Sequence, residues 1–185
     1  LDGTVNFSHG HPHFAVSLAW AWRGRIEVGV IYDPLRDELF SAMRGGGAHC
    51  NGRPIKCAGT DSLRDAMIAV GLGRFISGEA LCADLVQLAN TVQKVRIAGS
   101  AALDLAYTAC GRLDAYYEQR VFLWDLAAGM LLIEEAGGVV YWWPQPRPHQ
   151  RSCLAAAKGL AAPLIELLQL TPTTDARTCF DDGAG

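Results

Sequence analysis

The chain has 185 residues, of which 50% are hydrophobic and 19% charged, and its 16 Lys and Arg against 19 Asp and Glu give a formal net charge of −3. This composition excludes a disordered chain, because burial of its apolar surface can offset the loss of chain entropy, and it disfavours a nucleic-acid binder, because no basic patch is visible. The apolar runs at residues 14–22 and 126–133 are too short for the ~18–20 residues that span a bilayer.

The N-terminal half has the pattern of strands joined by tight turns. Residues 14–20, 25–32 and 38–43 are rich in β-branched, aromatic and aliphatic side chains, and turn residues separate them. Asn51-Gly52 is a strong signal for a hairpin turn. We therefore predict an antiparallel meander, followed by a buried strand over residues 66–71.

The C-terminal half changes to the helical period. Helices are predicted over residues 79–92, 100–110, 124–136 and 164–170, and strands over residues 115–118, 139–143 and 152–157. Alternating strands and helices after a meander predict a layered α/β or α+β protein. We expect one domain over residues 1–170 and a flexible tail over residues 171–185.

The six cysteines include no C-x-x-C pair, so the sequence contains neither a zinc knuckle nor a redox motif. Several of them lie among apolar residues, where a free thiol behaves as a small hydrophobic group. The pattern favours reduced thiols in a cytoplasmic protein.

The first candidate site is the segment Asp2-Gly3-Thr4. A carboxylate followed by Gly and Thr can bind a cation, while the N–H groups that follow can face a phosphate. An Asx turn with Thr4 capping a helix explains the same residues. The chain begins with Leu1 rather than Met and this segment reads as the second half of a motif, so we expect the sequence to be a fragment.

The second candidate is Asp125, at the predicted start of a helix in segment 124–129 (WDLAAG). The small residues of that segment would let another part of the chain pack close to the carboxylate, although simple N-capping would also explain Asp125. Ser100 and Ala101 begin another predicted helix, whose free N–H groups could bind an anion or a hydroxyl. Glu118 ends a predicted strand and could accept hydrogen bonds from a polyol, or be a solvated edge residue.

Two further patterns favour no site. His9, His11 and His13 alternate like metal ligands, but Gly10 and Pro12 break the strand that would align them. The glycines of residues 44–47 lack the Gly-Lys-Ser/Thr that completes a phosphate loop.

Together, residues 1–7 (LDGTVNF), 124–129 (WDLAAG) and 135–138 (EAGG) resemble the inositol monophosphatase family of Mg²⁺-dependent phosphatases. Residues 28–34, 44–51 and 99–118 are also similar to bacterial members. The resemblance extends to about residue 170 and implies the layered α-β-α-β-α sandwich shared with fructose-1,6-bisphosphatase. It implies a cytoplasmic homodimer that hydrolyses inositol monophosphate or a similar small phosphate ester.

The resemblance also implies roles for individual residues. Asp2 and Asp125 would be metal-ligating carboxylates, and Leu1 would offer its backbone carbonyl to a metal. The N–H groups of Gly3 and Thr4 would hold the phosphate, with the Thr4 hydroxyl orienting the attacking water. Two further residues, Ala101 and Glu118, would contact the hydroxyls of the sugar alcohol.

The sequence departs from the family in two places. A metal-binding Glu and the first Asp of the Asp-Pro-x-Asp motif would precede Leu1, so we expect the chain as written to have little phosphatase activity. In residues 141–148, Trp and Pro replace the usual Asp-and-Gly loop.

Several other interpretations stay open. A haloacid-dehalogenase-type phosphatase shares an Asp-Gly-Thr motif, but the later acidic cluster of that class is not visible. Within the preferred family, the substrate could be histidinol phosphate, a nucleotide bisphosphate or a sugar bisphosphate. A non-catalytic, partner-binding protein is the alternative from a different functional class.

Overall fold

Two five-stranded β-sheets organise the computed structural model, which describes residues 1–73 and 78–171, without the side chains of residues 78–81. The first sheet is an antiparallel meander in chain order: β1 (Val16–Trp22), β2 (Arg25–Asp33), β3 (Glu38–Met43), β4 (Ala48–Cys50) and β5 (Arg53–Pro54). The turn at Asn51-Gly52 has positive φ at both residues, as the dipeptide predicts. The predicted meander is confirmed.

The second sheet is mixed. Its strands are β6 (Met67–Gly71), β7 (Lys94–Arg96), β8 (Ala115–Phe122), β9 (Val139–Pro144) and β10 (Gln150–Ala156), in the order β7-β6-β8-β10-β9. Strand β6 is parallel to both β7 and β8, whereas β10 is antiparallel to β8 and β9. The third strand in this order, β8, therefore lies in the middle of the sheet.

Five α-helices complete the described chain: α1 (Thr4–Ser8), α2 (Gly78–Thr91), α3 (Ala101–Ala109), α4 (Leu123–Glu135) and α5 (Lys158–Leu167). Helices α3 and α4 form the layer between the two sheets, where they share one apolar core with both. Small residues allow this close packing, because a Cβ at Gly29 would lie 2.8 Å from the carbonyl oxygen of Ala128, and one at Gly129 would lie 2.4 Å from the Cβ of Leu105.

The second sheet packs its other face against α2 and α5 through a separate apolar cluster. The other face of the first sheet exposes Leu18, Trp20 and Trp22, each more than half accessible. The described residues therefore form four layers, in the order β-α-β-α. This arrangement confirms the layered α/β class, and the outermost helical layer of the expected five is not among the described residues.

The largest differences from the predicted elements concern β8, α5 and β7. Strand β8 continues to Phe122, beyond the predicted end at residue 118, and α5 begins at Lys158, before the predicted residue 164. The short strand β7 has no counterpart in the prediction. Within the described part of the chain, no helix combines the length and apolar character needed to cross a membrane. The predicted flexible tail lies outside the described residues, apart from residue 171.

Candidate active site

A cavity of about 720 Å³ opens where the first turn of the chain meets the second sheet and the starts of α3 and α4. Most of the residues singled out from the sequence line it: Asp2, Gly3, Thr4, Ala101, Glu118 and Asp125. Segments from both ends of the chain therefore contribute to one cavity. Leu1 is not among the lining residues, and its side chain is exposed.

Asp2 is fixed by both its backbone and its side chain. The backbone pairs with Ala15 through two hydrogen bonds of 2.8 and 3.0 Å. Its Oδ2 accepts hydrogen bonds from the Ser100 hydroxyl at 2.7 Å and from the Ala102 N–H at 2.8 Å, at the start of α3. These two hydrogen bonds fix the position of the Asp2 side chain at the start of α3.

Gly3 forms the turn that leads from Asp2 into α1. Its φ of 77° favours glycine, and an added Cβ would lie 2.8 Å from the carbonyl oxygen of His13. Thr4 is exposed and begins α1 without a side-chain cap, so the capping explanation for Thr4 is wrong. The side chain of Asn6 holds the turn in place through hydrogen bonds to the carbonyls of His13 and Ala98, at 2.7 and 2.9 Å.

Asp125 lies in the first turn of α4, three residues after Phe122, which is the N-cap residue. The N-capping explanation for Asp125 is therefore also wrong. Burial, and after it the Asp2 carboxylate, raise the pKa of Asp125 to about 7. The electrostatic effect of Asp2 on Asp125 indicates that two carboxylates distant in sequence repel each other across the cavity.

Glu118 is neither at a strand end nor a solvated edge residue, because β8 is central and continues for four more residues. Its carboxylate accepts a 2.5 Å hydrogen bond from the buried Tyr116 hydroxyl. Burial raises the pKa of Glu118 to about 7. Gly71 on the neighbouring strand makes room for this carboxylate, since a Cβ there would lie 1.8 Å from its Oε2.

Ala101 is the first residue of α3, directly after Ser100, whose hydroxyl accepts the N–H of Leu103 as predicted for an N-cap. Sequence reasoning missed four charged or polar residues that line the cavity: Asp104, Arg120, Arg147 and Gln150. Asp104 is one helical turn beyond Ser100, is only 3% exposed, and faces the His13 ring at 3.9 Å. The sequence signal that could have found Asp104 is its spacing of four residues from the Ser100 cap, which places both residues on the same side of α3.

The acidic groups offer donors for one hard cation. Among the described residues, no group of three or more His, Cys, Asp or Glu side chains forms a metal site. Mg²⁺, however, is commonly held by one or two carboxylates together with water and substrate phosphate. The mutual repulsion of Asp2 and Asp125 would be relieved by such a cation, so the donor set fits Mg²⁺.

Known proteins are similar in sequence to this chain. The chain is 51% identical over 143 residues to an inositol-1-monophosphatase of Mesorhizobium japonicum, which covers 76% of the chain and 53% of the relative. It is 45% identical over 144 residues to the Nus factor SuhB of Pseudomonas aeruginosa. The chain spans about half the length of the curated relatives it matches.

Solved structures share the fold. The SuhB protein of Bartonella henselae matches with a TM-score of 0.85 and 39% identity, covering 91% of this chain and 66% of that one. The inositol monophosphatase of Anabaena matches with a TM-score of 0.82 and 39% identity, covering 92% of this chain and 70% of that one. The sequence profile of the inositol monophosphatase family matches residues 1–172. The chain therefore belongs to the inositol monophosphatase family.

Proposed function

We propose that this chain provides the phosphate-binding and part of the metal-binding apparatus of a Mg²⁺-dependent phosphomonoesterase. The substrate would be inositol monophosphate or a similar small phosphate ester. The observation that carries the proposal is the placement of Asp2 and Asp125 in one cavity, beside the turn at Gly3 and Thr4. Membership of the family and the name of the M. japonicum relative support the same reaction.

Each residue has a separate task in this proposal. Asp2 and Asp125, with the carbonyl of Leu1, would hold Mg²⁺, which when bound would polarise the phosphoryl group and the attacking water. The N–H groups of Gly3 and Thr4 would bind phosphate oxygens, and the Thr4 hydroxyl would accept a hydrogen bond from the attacking water and orient it.

Two groups would orient the rest of the substrate. The N–H of Ala101 lies at the start of α3 and would donate a hydrogen bond to a substrate hydroxyl. The Glu118 carboxylate would accept one, and its contact with the Tyr116 hydroxyl fixes its position in the cavity. Orientation of this kind lowers the entropic part of the barrier.

Inositol monophosphate is preferred because two curated relatives are named inositol-1-monophosphatases. A structural neighbour from Staphylococcus aureus, 29% identical with a TM-score of 0.76, is described with inositol monophosphate bound. Histidinol phosphate, nucleotide bisphosphates and sugar bisphosphates stay as alternative substrates. A cytoplasmic location and a homodimer stay predictions.

The test is the release of inorganic phosphate from inositol 1-phosphate, with and without Mg²⁺. Asp125→Asn should abolish Mg²⁺-dependent release. The matched control is Asp37→Asn, in an exposed turn away from the cavity. Among the described residues, the Asp37 carboxylate accepts a hydrogen bond only from the Tyr32 hydroxyl. Because the 185 residues alone are expected to release phosphate slowly, the two variants are compared in a chimera that carries the N-terminal segment of the M. japonicum relative before Leu1. If Asp125→Asn released phosphate as fast as the unchanged chimera, the proposed metal site would be refuted.

We further propose that the 185 residues by themselves are impaired, because the cavity offers Mg²⁺ only two acidic ligands from the proposed set. A chimera that places the N-terminal segment of the M. japonicum relative before Leu1 tests this statement. We expect the chimera to release phosphate at least tenfold faster than the 185 residues alone, whereas equal turnover would contradict the proposal.

A partner-binding role is the second candidate. It is favoured by relatives that carry the name Nus factor SuhB, at 45–46% identity. The exposed apolar face of the first sheet offers a surface for a protein partner. Stabilisation by Mg²⁺ together with phosphate would favour the enzyme, and indifference to both would favour the binding protein.

A further inference from the structure

One wall of the cavity is apolar, and the proposed function gives it no task. Three aliphatic residues, Val5, Leu72 and Ile97, line the same cavity as the carboxylates of the proposed site. Their exposed fractions are 51%, 46% and 50%, so a molecule in the cavity can reach all three. We call these three residues the apolar wall. Apolar surface in contact with water costs free energy, so a ligand that covers the wall with carbon atoms is stabilised.

Leu72 and Ile97 lie at the same edge of the second sheet. Strands β6 and β7 are parallel, with Ala69 opposite Arg96. Leu72 directly follows the end of β6, and Ile97 directly follows the end of β7. Neighbouring strands are about 4.8 Å apart, and the carboxyl ends of a parallel pair meet at one edge. The two residues therefore contribute to one continuous surface.

Val5 is connected to the same edge through its neighbour Asn6. The Nδ2 of Asn6 donates a hydrogen bond to the carbonyl oxygen of Ala98 at 2.9 Å, and it lies 3.4 Å from the carbonyl oxygen of Gly99. These contacts hold α1 against the segment that directly follows Ile97. The apolar wall is thus formed by parts of the chain that are fixed to each other.

The apolar wall begins beside the turn that is assigned to the phosphate. Val5 directly follows Thr4, whose N–H would bind a phosphate oxygen in the proposed function. The alcohol part of a bound phosphate ester would therefore lie next to the wall. Small-molecule sites commonly combine apolar walls with a few polar groups in cavities of about 300–1,000 Å³. This cavity, at about 720 Å³, has room for such an alcohol.

We propose that Val5, Leu72 and Ile97 form a subsite for an apolar group in the alcohol part of the substrate. The inference rests on the proposed function, because a phosphate bound at the turn before α1 is what places the alcohol beside the wall. The favoured class is a phosphate monoester whose alcohol carries an alkyl or aryl group, in addition to any hydroxyls bound in the polar part of the cavity. An alcohol that presents only hydroxyls to the wall gains less, because polar groups lose hydrogen bonds to water there.

The test compares two ligands that differ only in apolar length, methylphosphonate and n-butylphosphonate. Phosphonates lack the ester oxygen, so a phosphatase cannot hydrolyse them and binding is measured without turnover. Calorimetry on the full 185-residue chain with Mg²⁺ gives both dissociation constants. A methylene group that is about half covered strengthens binding about twofold, so the three additional methylenes should make the butyl compound bind about eightfold tighter.

The double variant Leu72→Ser/Ile97→Ser tests the wall directly. It should reduce the preference for the butyl compound to about twofold or less, and change the affinity for methylphosphonate by less than about twofold. Tm should change little, because both positions are about half exposed. The matched control is Leu35→Ser, which removes an aliphatic side chain of 50% exposure from a turn that does not line the cavity. This control should keep the full preference.

The outcomes separate the subsite from the proposed function. Equal affinities for the two phosphonates, or a preference that survives the double variant, would overturn the subsite and leave the phosphate-binding turn in place. A shift of the sedimentation coefficient in the double variant without a change in preference would assign the wall to a second copy of the chain, and would also overturn the subsite. Failure of both phosphonates to bind would refute the proposed function and the subsite with it. The expected preference, without Mg²⁺-dependent phosphate release from the chimera, would support the subsite and refute the proposed catalysis.

Discussion

The carboxylate of Glu118 makes the free energy of unfolding depend on pH. The substitution Glu118→Gln removes this contribution and so measures it. Burial is the largest cause of its raised pKa, and the carboxylates of Asp2, Asp104 and Asp125 raise the pKa further. The hydrogen bond from Tyr116 opposes these effects. The result is a pKa of about 7, against an ordinary value of 4.5.

The sign and size of the effect follow from this shift. Between pH 4.5 and 7 the unfolded chain releases a proton that the folded chain retains, so the free energy of unfolding falls as the pH rises. A difference of 2.5 pKa units at 1.36 kcal/mol each gives about 3 kcal/mol. Glu118→Gln cannot ionise, and its side-chain carbonyl can still accept the Tyr116 hydroxyl. The variant should gain about 3 kcal/mol relative to the unchanged chain between pH 4.5 and pH 8.

Urea denaturation without divalent cations, at pH values from about 3 to 8, measures this difference and also covers the range in which the control responds. Glu38→Gln is the control with the opposite sign, because hydrogen bonding to Arg112 lowers the pKa of Glu38. Its carboxylate stabilises the fold above the ordinary pKa, and this stabilisation is lost as the pH falls. Parallel pH profiles for Glu118→Gln and the unchanged chain would refute the assignment of a buried, protonated Glu118.

Three further predictions test the site and the surface. Mg²⁺ at about 100 times its Kd should raise the free energy of unfolding by about 2.7 kcal/mol, and Asp125→Asn should abolish this gain in a urea titration. Gly71→Ala should destabilise the fold by about 1–3 kcal/mol, because its Cβ would lie 1.8 Å from the Glu118 carboxylate, and a Glu118→Ala background should remove most of that loss. Replacing Trp20 and Trp22 by Thr should reduce self-association in sedimentation experiments, because these two stacked rings are more than half exposed on the edge strand β1.

Local signals predicted most of the fold. The Asn51-Gly52 turn, the Ser100 cap and the residues between 38 and 43 each formed the expected element. These features depend on φ preferences, a single side-chain hydrogen bond and the alternation of apolar residues, all of which act over a few positions. The helix α5 begins at Lys158, six residues before the predicted start, and contains Pro163, a residue that usually disfavours a helix interior.

The surroundings of Glu118 could not be predicted from local signals. The order β7-β6-β8-β10-β9 brings Glu118 between Gly71 and Cys153, and both contacts depend on pairing between distant parts of the chain. Sequence reasoning treated Glu118 as the end of a strand, where water would solvate its charge. The central position instead buries the carboxylate, which is why its pKa rises.

The charged residues that line the cavity also come together only through contacts between distant parts of the chain. Asp2 and Asp125 were paired from the sequence only through the resemblance to a family, since no local rule brings two carboxylates together against their repulsion. Arg147 follows β9 and lies in residues 141–148, whose sequence departs from that family, whereas Gln150 begins β10. The resemblance gave no role for either residue. Pairing of Gln150 with Phe122 brings the segment to the cavity. A fold that gathers like charges in one cavity retains a local cost that its packing offsets, and such a cost is expected where a ligand supplies the opposite charge.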